Sequence, residues 1–192
     1  DELATLRNTL MLADKPFDLF GQSPLFQPGW VETPNLYLYG NLLIMNLAGI
    51  SLTSLKLCSA IPGIITALAL FGAARQLFTR PVALAVGLLC ALASWPVRLS
   101  RYGWDATAMV AWLSLAWWLI LVSWHQRYRW CSYLAGLCLG LSLYTYVAAR
   151  LAVAVMLAGL VVVWWRRAAR PAVGTWWTLL GGLAIATLPL VE

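Results

Sequence analysis

VALAVGLLCALASWPVRLSRYGWDATAMVAWLSLAWWLILVSW, residues Val82 to Trp124, decides the reading of this chain. Two apolar runs, Val82–Val97 and Ala106–Trp124, flank a polar island, Arg98-Leu-Ser-Arg101-Tyr-Gly-Trp-Asp105. A bilayer crossing takes about 20 predominantly apolar residues, and both runs approach that length. Charge next to such runs is costly to keep out of water and commonly marks function. Asp105 is isolated among acids: beyond residue 36 the only other one is Glu192, and the remaining five lie in the first 36 residues, beginning with Asp1-Glu2.

The same pattern extends in both directions. The chain is 62% hydrophobic and 10% charged, with a mean hydropathy of +0.78, which is the composition of an integral membrane protein and not of a soluble domain. Its net charge of +6 does not point to nucleic acid, because the basic residues fall in short clusters between apolar runs. Six spans are expected: Leu57–Ala74, Val82–Val97, Ala106–Trp124, Ser132–Ala149, Leu151–Trp165 and Ala172–Val191. A single helix from Ser132 to Trp165 would be far too long for a bilayer, so the chain must reverse near Tyr144–Arg150. The expected fold is therefore all-α and integral to the membrane, a polytopic transmembrane helix bundle of about six spans. It is read as a piece of a larger polytopic protein, since the sequence starts without Met and stops just after an apolar run.

The first 54 residues read differently. Leu3, Leu6, Leu10 and Met11 recur at helical spacing behind Asp1-Glu2, and Asp14-Lys15-Pro16 ends that short amphipathic segment. A Gly- and Pro-rich loop follows. Leu36–Ile50 is apolar but short and carries Gly40, Asn41 and Asn46, which favours a helix lying along the interface over one that crosses. The expected organisation is an extracytoplasmic first loop with juxtamembrane helices over 1–54, then the helix bundle over 55–192.

Loop charges orient the bundle. Alternate loops share a side; one side gathers Arg75, Arg80, Arg127, Arg129, Arg166, Arg167 and Arg170 and no acid, while the other gathers Arg98, Arg101, Arg150, Asp105 and Glu192. The arginine-rich side is cytoplasmic by the positive-inside rule, so the island faces out. If Leu36–Ile50 does not cross, Asp1-Glu2 and Lys56 face out as well.

Several groups on that face could carry chemistry. Arg98, Arg101 and Asp105 are spaced by three and four, one stripe if helical, although Gly103 interrupts the run. The stripe reads either as an Arg101–Asp105 ion pair capping a helix hairpin or as an anion site with an acid beside it, since the arginine fork suits phosphate. Arg150, after Tyr144-Thr-Tyr146, reads as an interfacial arginine or as a further phosphate contact, and Lys56 has the same two readings. Asp1-Glu2 reads as a helix cap or as a paired-acid general base. Cys58, Cys90, Cys131 and Cys138 lack CxxC spacing and read as free thiols; no metal site or cofactor is expected. No phosphate-binding glycine loop or dinucleotide fingerprint is present in the sequence.

The order of parts resembles a known family. The Asp1-Glu2 pair is followed by TPNLYLYGNLL, then LKLCSAIPGIITALALFGAARQLFTR, SRYGWDATA and GLSLYTYVAARL. This series is similar to the polytopic GT-C glycosyltransferases of the protein O-mannosyltransferase and lipid A aminoarabinose transferase kind, with the bacterial relatives nearest. The resemblance runs from Asp1 to about Arg170. It implies transfer of a sugar from a polyprenyl-phosphate carrier to a lipid, glycan or protein acceptor outside the cytoplasm of a bacterial plasma membrane. It implies Asp1 as the base, with Glu2 beside it, Asp105 as the second acid, and Arg98, Arg101, Arg150 and Lys56 toward the carrier phosphate. Tyr37, Tyr102 and Tyr146 are candidate aromatic contacts to substrate. Pro34-Asn35 stands where many relatives have Pro-Pro. Two other classes compete with this reading: a transporter or flippase, which would put charge near helix middles, and a membrane subunit without a site. Here the charges sit at helix ends.

Overall fold

A computed structural model describes residue 9 and residues 35–101, 105–166 and 173–188. Among the described residues every regular element is a helix. In chain order these are α1 (Asn35–Ala48), α2 (Leu52–Leu77), α3 (Arg80–Leu92), α4 (Ser94–Arg101), α5 (Ala106–Gln126), α6 (Arg129–Ser142), α7 (Ala149–Arg166) and α8 (Val173–Thr187). The chain is an all-helical, polytopic membrane protein. The helices of α2 and α5 are each long and apolar enough to cross a membrane. At 1.5 Å per residue, the 26 residues of α2 extend about 39 Å and the 21 of α5 about 31 Å, against a hydrocarbon layer of about 30 Å.

The expected span Val82–Val97 is broken. Here α3 and α4 meet at a 48° bend and together make a third candidate span. Pro96 supplies the reason. Its ring has no N–H to give to the Leu92 carbonyl and would clash with it, so α3 ends at Leu92 and the extended Ala93 (φ −61°, ψ 135°) redirects the chain. Among the described residues, the segments expected to span over Ser132–Ala149 and Ala172–Val191 include helices of 14 and 15 residues, and α7, over the expected fifth span, covers 18. The reversal required between the fourth and fifth runs lies at residues 143–148, where Tyr144 donates to Leu141 and Thr145 to Ser142 through their amides, and Ala149 to Tyr146.

Two parallel pairs fix the order of crossings. At one end of α2 and α5, Cys58 and Ala108 pack in one cluster with Tyr37; further along, Gly72 of α2 accepts the ring of Trp118 of α5 so closely that a Cβ there would lie 2.5 Å from it. The two helices therefore run in the same direction, and the bent α3–α4 unit brings the chain back between them. In the same way, Ser132 Oγ donates to the Thr175 carbonyl (2.7 Å) at one end of α6 and α8, and Tyr144 Oη to the Ala186 carbonyl (2.9 Å) at the other. The return between these two is α7.

Close backbone approach holds the second pair. Gly136 and Gly140 on α6 face Leu179, Leu183 and Ala186 on α8, while Gly182 on α8 faces Tyr133 on α6. A side chain at Gly136 would strike the Leu179 carbonyl oxygen. Small residues at four-residue spacing are how helices gain dispersion contact when lipid supplies no hydrophobic drive. Ala116, Ile120, Ala135, Cys138, Leu139, Val153, Leu160 and Leu179 form the core around this contact. All four cysteines are free thiols, and Cys58, Cys131 and Cys138 are buried.

The two ends of the bundle differ. One carries Arg75, Arg80, Arg127 and Arg129, with Tyr128, Trp130, Trp165 and Trp177 exposed, an aromatic and basic belt of the kind found at a membrane surface. The other end carries Lys56, Asp105, the 143–148 turn and Arg150. The start of α1 belongs to this second end, because the Leu36 amide donates to the Tyr144 carbonyl at 3.3 Å.

Candidate functional site

The second end is built around the start of α1. That helix turns back into α2 through Gly49, whose φ of 82° lies in the left-handed region that glycine adopts without cost. Ser51 then caps α2, its hydroxyl accepting from the Ser54 amide at 3.1 Å, and Ser54 Oγ donates to the Gly49 carbonyl at 2.6 Å. This hairpin lays Tyr37 across α2. Its hydroxyl shares a 2.6 Å hydrogen bond with Ser59, and a Cβ added at Gly40 would lie 3.5 Å from Cys58 Sγ. One turn beyond Tyr37, Asn41 is wholly buried; its amide lies beside the Tyr37 hydroxyl, but neither its nitrogen nor its oxygen completes a hydrogen bond.

Asp105 reaches the same place from α5. It is the N-cap of that helix, its carboxylate accepting from the Ala106 amide at 2.8 Å, while its carbonyl accepts from Ala108 and Met109. Only 5% of its surface is exposed. Burial pushes its pKa up from the ordinary 3.8 to about 6, against the opposing pull of the Ala106 hydrogen bond. Among the described residues no cation lies within ion-pair reach of it. Burial, above all, also raises the Tyr37 phenol, with the Asp105 charge the smallest of the contributions, and Ala108, one turn after Asp105, packs in the same cluster as Tyr37.

The arginines stand apart from the acid. Arg98 and Arg101 lie in the last turn of α4 and are exposed. Arg101 is the last described residue of α4 and Asp105 is the N-cap of α5, and the Arg101–Asp105 ion pair weighed from the sequence is not formed between them. Instead α4 packs on α2 through Ser100, whose Cβ lies where a side chain on Gly63 would begin. Lys56, in the second turn of α2, is exposed, as is Arg150 in the first turn of α7. Tyr146 is half-buried in the 143–148 turn. Asp1, Glu2 and Tyr102 lie outside the described residues.

Thus the structure brings Asp105, Tyr37, Asn41 and Ser59 together, with Lys56, Arg98, Arg101, Tyr146 and Arg150 at the same end of the bundle. Asn41 and Ser59 were not singled out by sequence. The available signal was Asn41 following Tyr37 at i+4 in an otherwise apolar helix, which puts both on one face. Among the described residues no group of His, Cys, Asp and Glu could hold a metal ion.

The sequence pattern described as dolichyl-phosphate-mannose-protein mannosyltransferase matches residues 32–191. That stretch contains Tyr37, Asn41, Lys56, Ser59, Arg98, Arg101, Asp105 and Arg150, and excludes Asp1 and Glu2. No curated protein and no solved structure matches the chain. An all-helical membrane bundle with a buried acid at one end, matched over most of its length, has the character of a membrane glycosyltransferase that uses lipid-linked sugar. The chain belongs to the dolichyl-phosphate-mannose-protein mannosyltransferase family.

Proposed function

We propose that this protein transfers a sugar, mannose first among the candidates, from a polyprenyl-phosphate carrier to an acceptor on the extracytoplasmic face of a bacterial plasma membrane. The observation that carries this reading is Asp105: a buried carboxylate without a cation partner among the described residues, at the end of the bundle where exposed arginines gather. Its carboxylate caps α5 through the Ala106 amide, and its remaining acceptor sites are open to a substrate hydroxyl.

The chemistry follows from the donor. The bond between the anomeric carbon and the carrier phosphate is already activated, so no nucleotide is consumed. The acceptor hydroxyl attacks the anomeric carbon as the carbon–oxygen bond to phosphate breaks, and the configuration inverts. The proton passes to Asp1, with Glu2 keeping that carboxylate basic enough to take it. The leaving phosphate gathers negative charge, which Arg98 and Arg101 neutralise, with Lys56 and Arg150 as further contacts. A carrier whose tail stays in lipid presents its phosphate at the membrane surface, the depth at which these helix-end cations lie. Asp105 orients the sugar, and Tyr102 and Tyr146 offer it aromatic faces. Membrane lipids surround the bundle, and the acceptor is a lipid, a glycan or a protein.

The test is transfer of label from radiolabelled mannosyl polyprenyl phosphate by membranes containing the full-length protein. Asp1→Asn abolishes transfer without lowering the amount of folded protein. Unchanged turnover in that variant removes Asp1 from the mechanism.

A further inference from the structure

We propose that Asn41, together with Tyr37, Ser59 and Asp105, forms a buried subsite that hydrogen-bonds the hydroxyl groups of the carried sugar; this deepens the transferase reading and rests on it.

Asn41 is the unusual member. Its side chain is fully buried, and neither its nitrogen nor its oxygen reaches full hydrogen-bond geometry, although the Tyr37 hydroxyl lies beside it. Leaving such a group poorly paired is costly, and an apolar residue of similar size would avoid the cost, so its two polar atoms suit a partner that enters the site. The neighbours are matched to a hydroxylated ring. A sugar hydroxyl both donates and accepts; Asn41 offers an NH₂ donor and a carbonyl acceptor, Tyr37 and Ser59 share one proton-bearing pair that either can donate, and Asp105 supplies a carboxylate. Ile44 and Ala108 pack against the Tyr37–Cys58 cluster and give the subsite apolar walls, as for a ring held by a few polar contacts.

The experiment uses the purified full-length protein in lipid nanodiscs and two ligands, mannosyl polyprenyl phosphate and bare polyprenyl phosphate. Wild-type protein binds both. Asn41→Leu binds the glycosylated carrier about tenfold more weakly, as expected for one or two lost hydrogen bonds, and the bare carrier equally well, while its melting temperature is unchanged or raised because an unpaired buried amide has gone. Ser59→Ala, which cannot fail through bulk, shows the same selectivity in smaller measure. Equal weakening for both ligands overturns the subsite, and so does no weakening with a lowered melting temperature, the result expected if a structural water satisfies Asn41. Wild-type protein that binds neither carrier overturns the transferase reading itself; wild-type binding with unaltered Asn41→Leu and Ser59→Ala overturns the subsite alone.

Discussion

Replacing Asp105 by Asn separates the cost of its charge from the value of its cap. Asparagine caps a helix start as well as aspartate does, so the bond to the Ala106 amide survives in kind. What disappears is the ionisation of a carboxylate that burial has moved from 3.8 to about 6. The sign follows from proton uptake. Between those two values the folded protein binds a proton that the unfolded chain has released, so wild-type stability falls as pH rises from about 4 to about 6 and is level above that. The move corresponds to about 3 kcal/mol, and solvent near the helix end reduces the expected effect to about 1–2 kcal/mol. Thermal unfolding of detergent-solubilised protein at a series of pH values from 4 to 8 reads it directly. The Asn variant should match wild type near pH 4 and exceed it above pH 6, while sugar transfer, which uses the ionised carboxylate, should fall above pH 6 and lose its rise near that value. Parallel stability curves, with a constant offset at all pH values, would refute the burial argument.

Other outcomes follow from the same structure. Arg101→Ala should raise the KM for the lipid-linked donor severalfold and leave stability within about 0.5 kcal/mol, since the side chain is exposed and unpaired with Asp105; steady-state kinetics over a donor titration would show it. Gly136→Ala should destabilise the bundle by about 1–3 kcal/mol, because a Cβ there meets the Leu179 carbonyl oxygen and α6 and α8 must separate; a lowered unfolding temperature checks it. Single cysteines at Gly103 and Arg127, in a background without native cysteines, should label from opposite sides of intact vesicles, and labelling from one side would reverse the proposed topology.

The sequence made the helical membrane class legible because apolar runs of span length admit few other folds. It also made the turn near Tyr144 legible, because Ser132 to Trp165 exceeds any bilayer. It did not reveal the bend at Ala93, although Pro96 carried the signal: hydropathy over Val82–Val97 is blind to a lost backbone donor. Nor did composition separate Asn41 from Asn46. Both amides read as marks of an interfacial helix, yet Asn46 is exposed and Asn41 is buried against α2. Only the hairpin through Gly49, which sets Tyr37 on Ser59 across 22 residues of sequence, turns one of them inward. The Arg101–Asp105 pair was a reasonable inference from spacing alone. It fails because the Asp105 carboxylate is turned onto the Ala106 amide at its own helix start, while the Arg101 side chain is exposed.

The central claim is that a lipid-linked sugar is the donor. Purified full-length protein, reconstituted in vesicles with native membrane extract as acceptor, should move label from mannosyl polyprenyl phosphate and none from the corresponding nucleotide sugar, with Asp105→Asn reducing the rate. Equal transfer from the nucleotide sugar, or label that stays on the carrier at the same level with and without the protein, would contradict the account.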